Sequence, residues 1–423
     1  MQALEVKMVV DGTGAEPIGD QAVVINDGRI AGILPRKELH RTYPGIDVMD
    51  CTDSWMLPGF IDLHVHLRNP HEDDVSRLDQ FRHRVSAPQS LAVLYGVRAA
   101  QRCLAAGFTT VRNMGGVEFA ALDHAFEVGI LPGPRVLTSG MILKTGGHTD
   151  KALPSTLPRH GTWSAWRTSD GVEEIRKHVR DLVRRGASFI KMEASGGLYQ
   201  SDVPGHSAKE LQSGIDEAHE LGVHVAVHAH SRTSILTAVH AGADTIEHGT
   251  FMDDVCIDAM VQHGTAFVPT MSIMYDSITR SADWGCTAQA RENERRLLEV
   301  RMEAVRKAHD AGILIGLGSD SAGWLGRHGA NATEFMLMVE AGLSPIESIA
   351  AGTGIASSIL GLDDSIGTVA VGRQADFVTT TINPLVDVSL LADPSNIETV
   401  WKDGRLLLDR RKDRKSSRLC WDL

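Results

Sequence analysis

The chain opens and closes with short runs of β-branched and other apolar residues separated by Gly-centred turns. VKMVV precedes D-G-T-G, QAVVI leads through N-D-G into RIAGIL, and DSWMLPG ends the stretch. Near the other end GTVAVG, ADFVTTT and TVWKDGRLLL repeat the texture, with D-G as a hairpin turn. Between them the period changes. The apolar strand candidates FIDLHVH, TTVRNMG, RVLTSG, FIKMEAS, HVAVHAH, TIEHG, AFVPTM and LIGLGSD alternate with amphipathic stretches such as GVEEIRKHVRDLVRRGA, AKELQSGIDEAHELG and RENERRLLEVRMEAVRKAHDAG. Most of these helical stretches stop at a Gly, the residue that tolerates the left-handed turn after a helix.

Eight strands, each followed by a helix or loop, predict an α/β fold: a (β/α)8 TIM barrel over residues 58–360. A doubly wound open sheet is the alternative, since it needs no eighth strand. The terminal segments, 1–57 plus 361–423, are expected to form one small β-sandwich domain built from both chain ends.

Composition narrows the function. The 423 residues are 43% hydrophobic and 23% charged, which excludes a disordered chain. Forty-two Lys and Arg against 54 Asp and Glu leave a net charge of −12 with no basic run, which argues against nucleic acid or an anionic membrane as partner. The five cysteines are odd in number, far apart and without a C-x-x-C pair, as expected of a reducing compartment. MQALEVKMVVDGTG lacks a charged n-region followed by an apolar stretch, and no run reaches the ~18 apolar residues of a membrane span. A cytoplasmic protein acting on a small molecule is expected, without nucleic acid or membrane as partner, and as a homo-oligomer.

The count that stands out is 19 His. In a barrel, chemistry gathers where the strands end and the βα loops begin. The first strand candidate ends in His64-Val65-His66, and residues two apart on a strand share a face. Lys191 stands among Phe189, Ile190 and Met192. Either its stem lies along the strand with the amine reaching out, or its neutral amine has taken up CO2 as an anionic carbamate able to bridge two cations. His228 closes the fifth strand, His248 the sixth and Asp320 the eighth. Together these side chains offer enough nitrogen and oxygen donors for two divalent cations. AVHAH also offers His230 on the same face as His228. His228 is the expected ligand, being nearer the strand body, with His230 towards substrate.

With these motifs in place the chain resembles the amidohydrolase superfamily over nearly its whole length, through PGFIDLHVHL, GFTTVRNMG, FIKMEASGG, AVHAH, DTIEHG, GLGSD and IGTVAVGRQADFV. The runs TGGHTD, IKMEASGG and HGANATEFMLMVEAGLSP are similar to the imidazolonepropionase and prolidase-like dipeptidase branch, whose dipeptidases cleave Xaa-Pro or Xaa-Arg/Lys. The resemblance implies that His64, His66 and Asp320 bind a buried metal and His228 and His248 a more exposed one. Lys191, carboxylated with CO2, would bridge them, and the cations are expected to be zinc.

The implied reaction is hydrolysis of an amide C–N bond, in a dipeptide or N-acyl amino acid, by a hydroxide bridging the metals. Asp320 would carry the proton to the leaving amine and His148, in TGGHTD, would donate to the developing oxyanion. His230, Tyr199, Arg327 and His328 are candidates for a substrate carboxylate, and Tyr275 and Trp324 for an apolar wall. A urea, carbamate or cyclic amide uses the same hardware and is the alternative. Deaminases of the superfamily carry Glu three residues after the strand-five His, where this chain has Ser231, and lack the strand-four Lys. Classical imidazolonepropionase is mononuclear. The complete ligand set speaks against an inactive scaffold.

Overall fold

The computed structural model describes residues 1–69, 88–148, 166–280, 287–322 and 327–412. Among them fifteen strands occur in chain order: β1 (Gln2–Val9), β2 (Ile18–Asn26), β3 (Arg29–Pro35), β4 (Asp47–Pro58), β5 (Phe60–Val65), β6 (Phe108–Asn113), β7 (Arg135–Leu143), β8 (Trp166–Thr168), β9 (Phe189–Glu193), β10 (His224–Ala229), β11 (Thr245–His248), β12 (Ala266–Val268), β13 (Phe377–Thr380), β14 (Thr399–Lys402) and β15 (Arg405–Asp409).

Both chain ends build one seven-stranded sheet in the order β15-β14-β13-β4-β1-β2-β3. The ends of the chain meet where β13 runs antiparallel to β4, Phe377 opposite Pro58. The β2–β3 hairpin turns on Asp27 and Gly28, both with positive φ (48° and 77°), as a tight primed turn requires. Ile30 of β3 and Trp401 of β14 are far apart in strand order, yet they share one buried cluster with Leu4, Val23, Met56 and Phe377. One continuous buried face therefore runs across the sheet from β14 to β3.

The other sheet is a nearly closed parallel barrel in the order β12-β11-β10-β9-β7-β6-β5, with β8 pairing off this path onto β7. The eighth segment predicted at LIGLGSD is not a regular strand. It closes the gap by parallel bridges at Phe267↔Ile315 and Val65↔Ser321, with Gly316 N donating to Phe267 O at 2.9 Å and Leu63 N donating to Leu317 O at 2.8 Å. The cause is close approach. A Cβ on Gly316 would stand 2.3 Å from Leu63 Cδ1, and one on Gly318 2.4 Å from Val268 Cγ1. The segment lies where only glycine fits, and two glycines make a poor strand.

Helices cover the barrel. Val172–Arg184 buries Ile175, Val179 and Leu182, one apolar stripe at helical spacing. Ala208–Glu220 starts from a capping box between Ser207 and Glu210. Gly186, Gly222, Gly242, Gly264 and Gly312 follow successive helices with positive φ, as the stop signals predicted. Among the described residues no helix is long and apolar enough to cross a membrane.

At the start of the barrel strands Phe60 packs edge-on against Phe108 and Phe335, with centroids 5.5 and 5.1 Å apart, and all three rings are fully buried. Phe335→Ala, which empties this junction, is expected to lower unfolding free energy by about 3–5 kcal/mol. Denaturant titration checks it, and a loss under about 1 kcal/mol would mean that the cavity collapses.

Candidate active site

The strand ends bring the predicted ligands together in two adjoining groups, His64 with His66 and Asp320, and His228 with His230 and His248. Within each group one donor atom per residue lies within 4.8 Å of the others. His64 links the groups, its ring 5.4 Å from that of His66 and 5.0 Å from that of His248. Lys191 is 2% exposed, and among the described residues its Nζ has no hydrogen-bond partner. Burial, foremost, pushes its ammonium down to about 8. The buried Asp320 Oδ1 faces two rings, 3.1 Å from His66 Nε2 and 3.6 Å from His64 Nε2. A buried amine and a carboxylate oxygen among imidazoles form a donor set that fits divalent cations.

The backbone under these groups is strained. His248 (φ 72°), Thr270 (54°), Asp320 (53°) and Ala322 (58°) are non-glycine residues in the left-handed region, and all lie just past barrel strands or at their ends. For the β-branched Thr270 this is a true outlier, of the kind that clusters where side chains must be aimed.

A second layer orients the rings. His64 Nδ1 meets Glu247 Oε2 at 2.6 Å. His228 Nε2 meets the Gly196 carbonyl at 3.0 Å. Both partners only accept, so the ring nitrogen facing each must donate, which leaves His64 Nε2 and His228 Nδ1 as the free lone pairs. His248 Nδ1 lies 2.7 Å from Thr270 Oγ1. Burial holds His64 down to about 4, and His228 and His248 well below the usual imidazole range, so all three are neutral, as metal ligands must be. Glu247 in turn accepts from Arg112 NH2 at 2.7 Å and from Thr245 Oγ1 at 2.5 Å. Burial alone would raise its carboxyl, but Arg112 and then the His64 bond hold it at about 2.

Sequence reasoning passed over Glu247 and Arg112. The available signal was a charged residue inside each of two otherwise apolar strands, in TIEHG and TTVRNMG. Such charges are rarely buried unless paired.

The remaining candidates fall in several places. The His148 ring is 4.4 Å from that of His228, and burial lowers it to about 4. A Cβ on Gly197 would touch this ring at 3.2 Å, so glycine leaves it room. His230 is buried beside His228 and His248. Both ring nitrogens of His328 have contacts, Nε2 with the His66 carbonyl at 3.2 Å and Nδ1 with Cys103 Sγ at 3.6 Å. This side chain braces the strand that carries His66. Arg327 packs against the buried Asp276, its backbone N–H donating to Oδ2 at 3.3 Å and its guanidinium 3.9 Å from Oδ1. Tyr275 is half-buried against the core. Tyr199 is 66% exposed and donates to Glu294. Trp324 and residues 70–87, which include most of the loop after β5, lie outside the described residues.

The model of the Amidohydrolase family matches residues 55–407. Ochratoxinase of Aspergillus niger is 30% identical over 426 residues, 94% of this chain and 85% of its own length. A solved Xaa-Pro dipeptidase with methionine bound in its active site is similar at a TM-score of 0.83 and 28% identity, over 96% of this chain and 99% of that one. A prolidase complexed with N-methylphosphonate-L-proline is similar at 0.84 and 29%, with the same coverage.

Glu247→Gln keeps the shape but removes the charge that His64 donates to, and is expected to weaken zinc affinity by about 10–100-fold. Competition against a chromophoric chelator measures this, and wild-type affinity would show that His64 needs no anionic partner.

Proposed function

The chain belongs to the amidohydrolase family, and from that premise we propose that it is a binuclear enzyme cleaving the amide bond of a small molecule with an amino-acid part, a dipeptide or an N-acyl amino acid. That it is a hydrolase acting on C–N bonds follows from the family itself. The observation that carries the finer reading is the convergence of two donor groups around a buried lysine whose amine has no hydrogen-bond partner among the described residues. Similarity to a dipeptidase that holds methionine and to a prolidase that holds a proline phosphonate supports an amino-acid substrate.

In this reading His64, His66 and Asp320 would hold one cation and His228 and His248 the other, with zinc suited to imidazole and carboxylate donors. Lys191 Nζ in its neutral form adds to the carbon of CO2, an N–C bond forms and one proton leaves to solvent. The resulting carbamate would supply anionic oxygen donors to the same site. When bound, the cations supply Lewis acidity to the scissile carbonyl and to the attacking water. Asp320 accepts the proton of that water and passes it to the nitrogen of the leaving amine, so that acid and amine separate as a balanced pair. His148 donates to the carbonyl oxygen as charge develops there. Arg327 is the side chain suited to a substrate carboxylate.

Zinc-loaded protein is expected to release free amine from dipeptides or N-acyl amino acids in a panel that also holds ureas and carbamates. Turnover confined to the latter two would move the substrate class. Lys191→Ala is expected to lose most of its metal and activity, as read by elemental analysis beside turnover; full activity would remove the binuclear reading. Asp320→Asn is expected to keep part of its metal while kcat drops by about 10²–10⁴-fold, the range for a lost acid–base group. An unchanged kcat would exclude Asp320 as the proton carrier.

A further inference from the structure

The helix Ala288–Asp310 buries one arginine under the candidate site. Arg301 is 1% exposed, and among the described residues all its hydrogen bonds go to uncharged oxygens. Nε and NH2 donate to Thr250 Oγ1 at 3.1 and 2.6 Å, and NH1 donates to the Thr270 carbonyl at 2.9 Å and to Thr270 Oγ1 at 3.3 Å. A guanidinium buried without a carboxylate bonded to it is expensive, although Asp320, Glu334 and Glu294 attract it from further off, and simple packing does not call for it. Its two threonines are the residues that touch His230 and His248. His230 Nδ1 lies 2.9 Å from Thr250 Oγ1 and His248 Nδ1 lies 2.7 Å from Thr270 Oγ1.

A hydroxyl has two lone pairs and one hydrogen. At Thr250 both lone pairs are taken by guanidinium N–H groups, so the hydroxyl hydrogen is left for His230 Nδ1. That nitrogen accepts, and the ring proton must sit on Nε2. At Thr270 the guanidinium takes only one lone pair, and the other is open to His248 Nδ1–H, which keeps the His248 Nε2 lone pair for a cation. The His230 ring stacks on His248 at 4.9 Å and stands edge-on to His228 at 4.6 Å. Its N–H therefore belongs to a ring packed against the two rings assigned above to the second cation.

We propose that Arg301 is a positioning residue that, through the Thr250 hydroxyl, fixes His230 as the Nε2–H tautomer and makes it a hydrogen-bond donor to the scissile carbonyl oxygen rather than a metal ligand. The assignment to the carbonyl rests on the hydrolase reading; the tautomer does not. It also explains how two histidines on one face of β10 and its following loop take different roles.

Two arms test this. In metal-free wild type labelled with 15N-histidine, the His230 ring, assigned by its loss in His230→Gln, is expected to show a protonated Nε2 and an unprotonated Nδ1. The reverse pattern overturns the proposal. In the zinc-loaded enzyme Thr250→Val is expected to keep wild-type zinc stoichiometry and a KM within about twofold. Its kcat should fall by roughly 10–100-fold, less than the 10²–10³ cost of deleting such a donor outright. Thr250→Ser, which keeps the hydroxyl, is expected to restore kcat. Loss of one zinc per chain in Thr250→Val would make His230 a ligand, and an unchanged kcat would remove the relay; either result overturns the proposal. Should Thr250→Val fold poorly, the spectrum of the wild type still decides the tautomer. A wild type inert toward every amide but with His230 protonated on Nε2 would fail the hydrolase reading and leave the Arg301 relay standing.

Discussion

Much of this site depends on one buried carboxylate. Glu247 is fully buried and accepts from His64 of β5, Arg112 of β6 and Thr245 of its own strand β11. In the sheet order β11 is far from β5 and β6, so these bonds cross the barrel. They do two things at once: they fix the ring of His64, and they set Arg112 against the pull that Glu247 exerts on Lys191. Glu247 draws the Lys191 ammonium upward and Arg112 opposes it, and because burial dominates the ammonium falls to about 8.

How much of this was legible in the chain follows from where each signal sits. Strand ends such as HVH, VAVHAH, IEHG and GLGSD carry their chemistry and their position in the same few residues, so the barrel and its donor groups could be read directly. The eighth strand was read as regular because periodicity does not register that Gly316 and Gly318 are demanded by contact with Leu63 and Val268. The choice between His228 and His230 could not come from spacing, because the two share a face. What distinguishes them is the Gly196 carbonyl behind one and the Thr250 hydroxyl behind the other, and neither lies on β10. Arg301 was invisible for a plainer reason: one arginine in RENERRLLEVRMEAVRKAHDAG looks like any other until packing turns it inward. Tyr199 was offered for a substrate carboxylate because a hydroxyl in a loop after a barrel strand can reach one; here that hydroxyl is exposed and donates to Glu294.

The strained backbone and the second layer serve the same end. His248, Thr270 and Asp320 hold left-handed conformations that an unconstrained chain would leave, at a cost of order 1–3 kcal/mol each. Thr270 is held by its neighbours. Glu334 accepts from the backbone N–H groups of Met271 and Ser272 at 2.8 and 2.6 Å, and Arg301 donates to the Thr270 carbonyl. The turn after β12 is thus clamped from two helices, Thr333–Glu340 and Ala288–Asp310, and its hydroxyl is presented to His248 in one position.

The kind of partner behind each ring then sets how far its role can vary. A carboxylate or a carbonyl can only accept, so His64 and His228 are committed to one tautomer by the groups behind them. A hydroxyl can accept or donate, so the rings it serves depend on what else fills its lone pairs. Of the four rings His64, His228, His230 and His248, the last two are backed by hydroxyls, and both hydroxyls are reached by one guanidinium from outside the barrel. Within this second layer the tautomers of His64 and His228 are therefore fixed by their acceptors, while the hydrogen-bond roles of His230 and His248 depend on a guanidinium carried by the helix Ala288–Asp310. Substitutions around Arg301 should for that reason alter chemistry before they alter the fold. The reverse holds for Glu247, whose removal strands a buried arginine and loosens the barrel with the site.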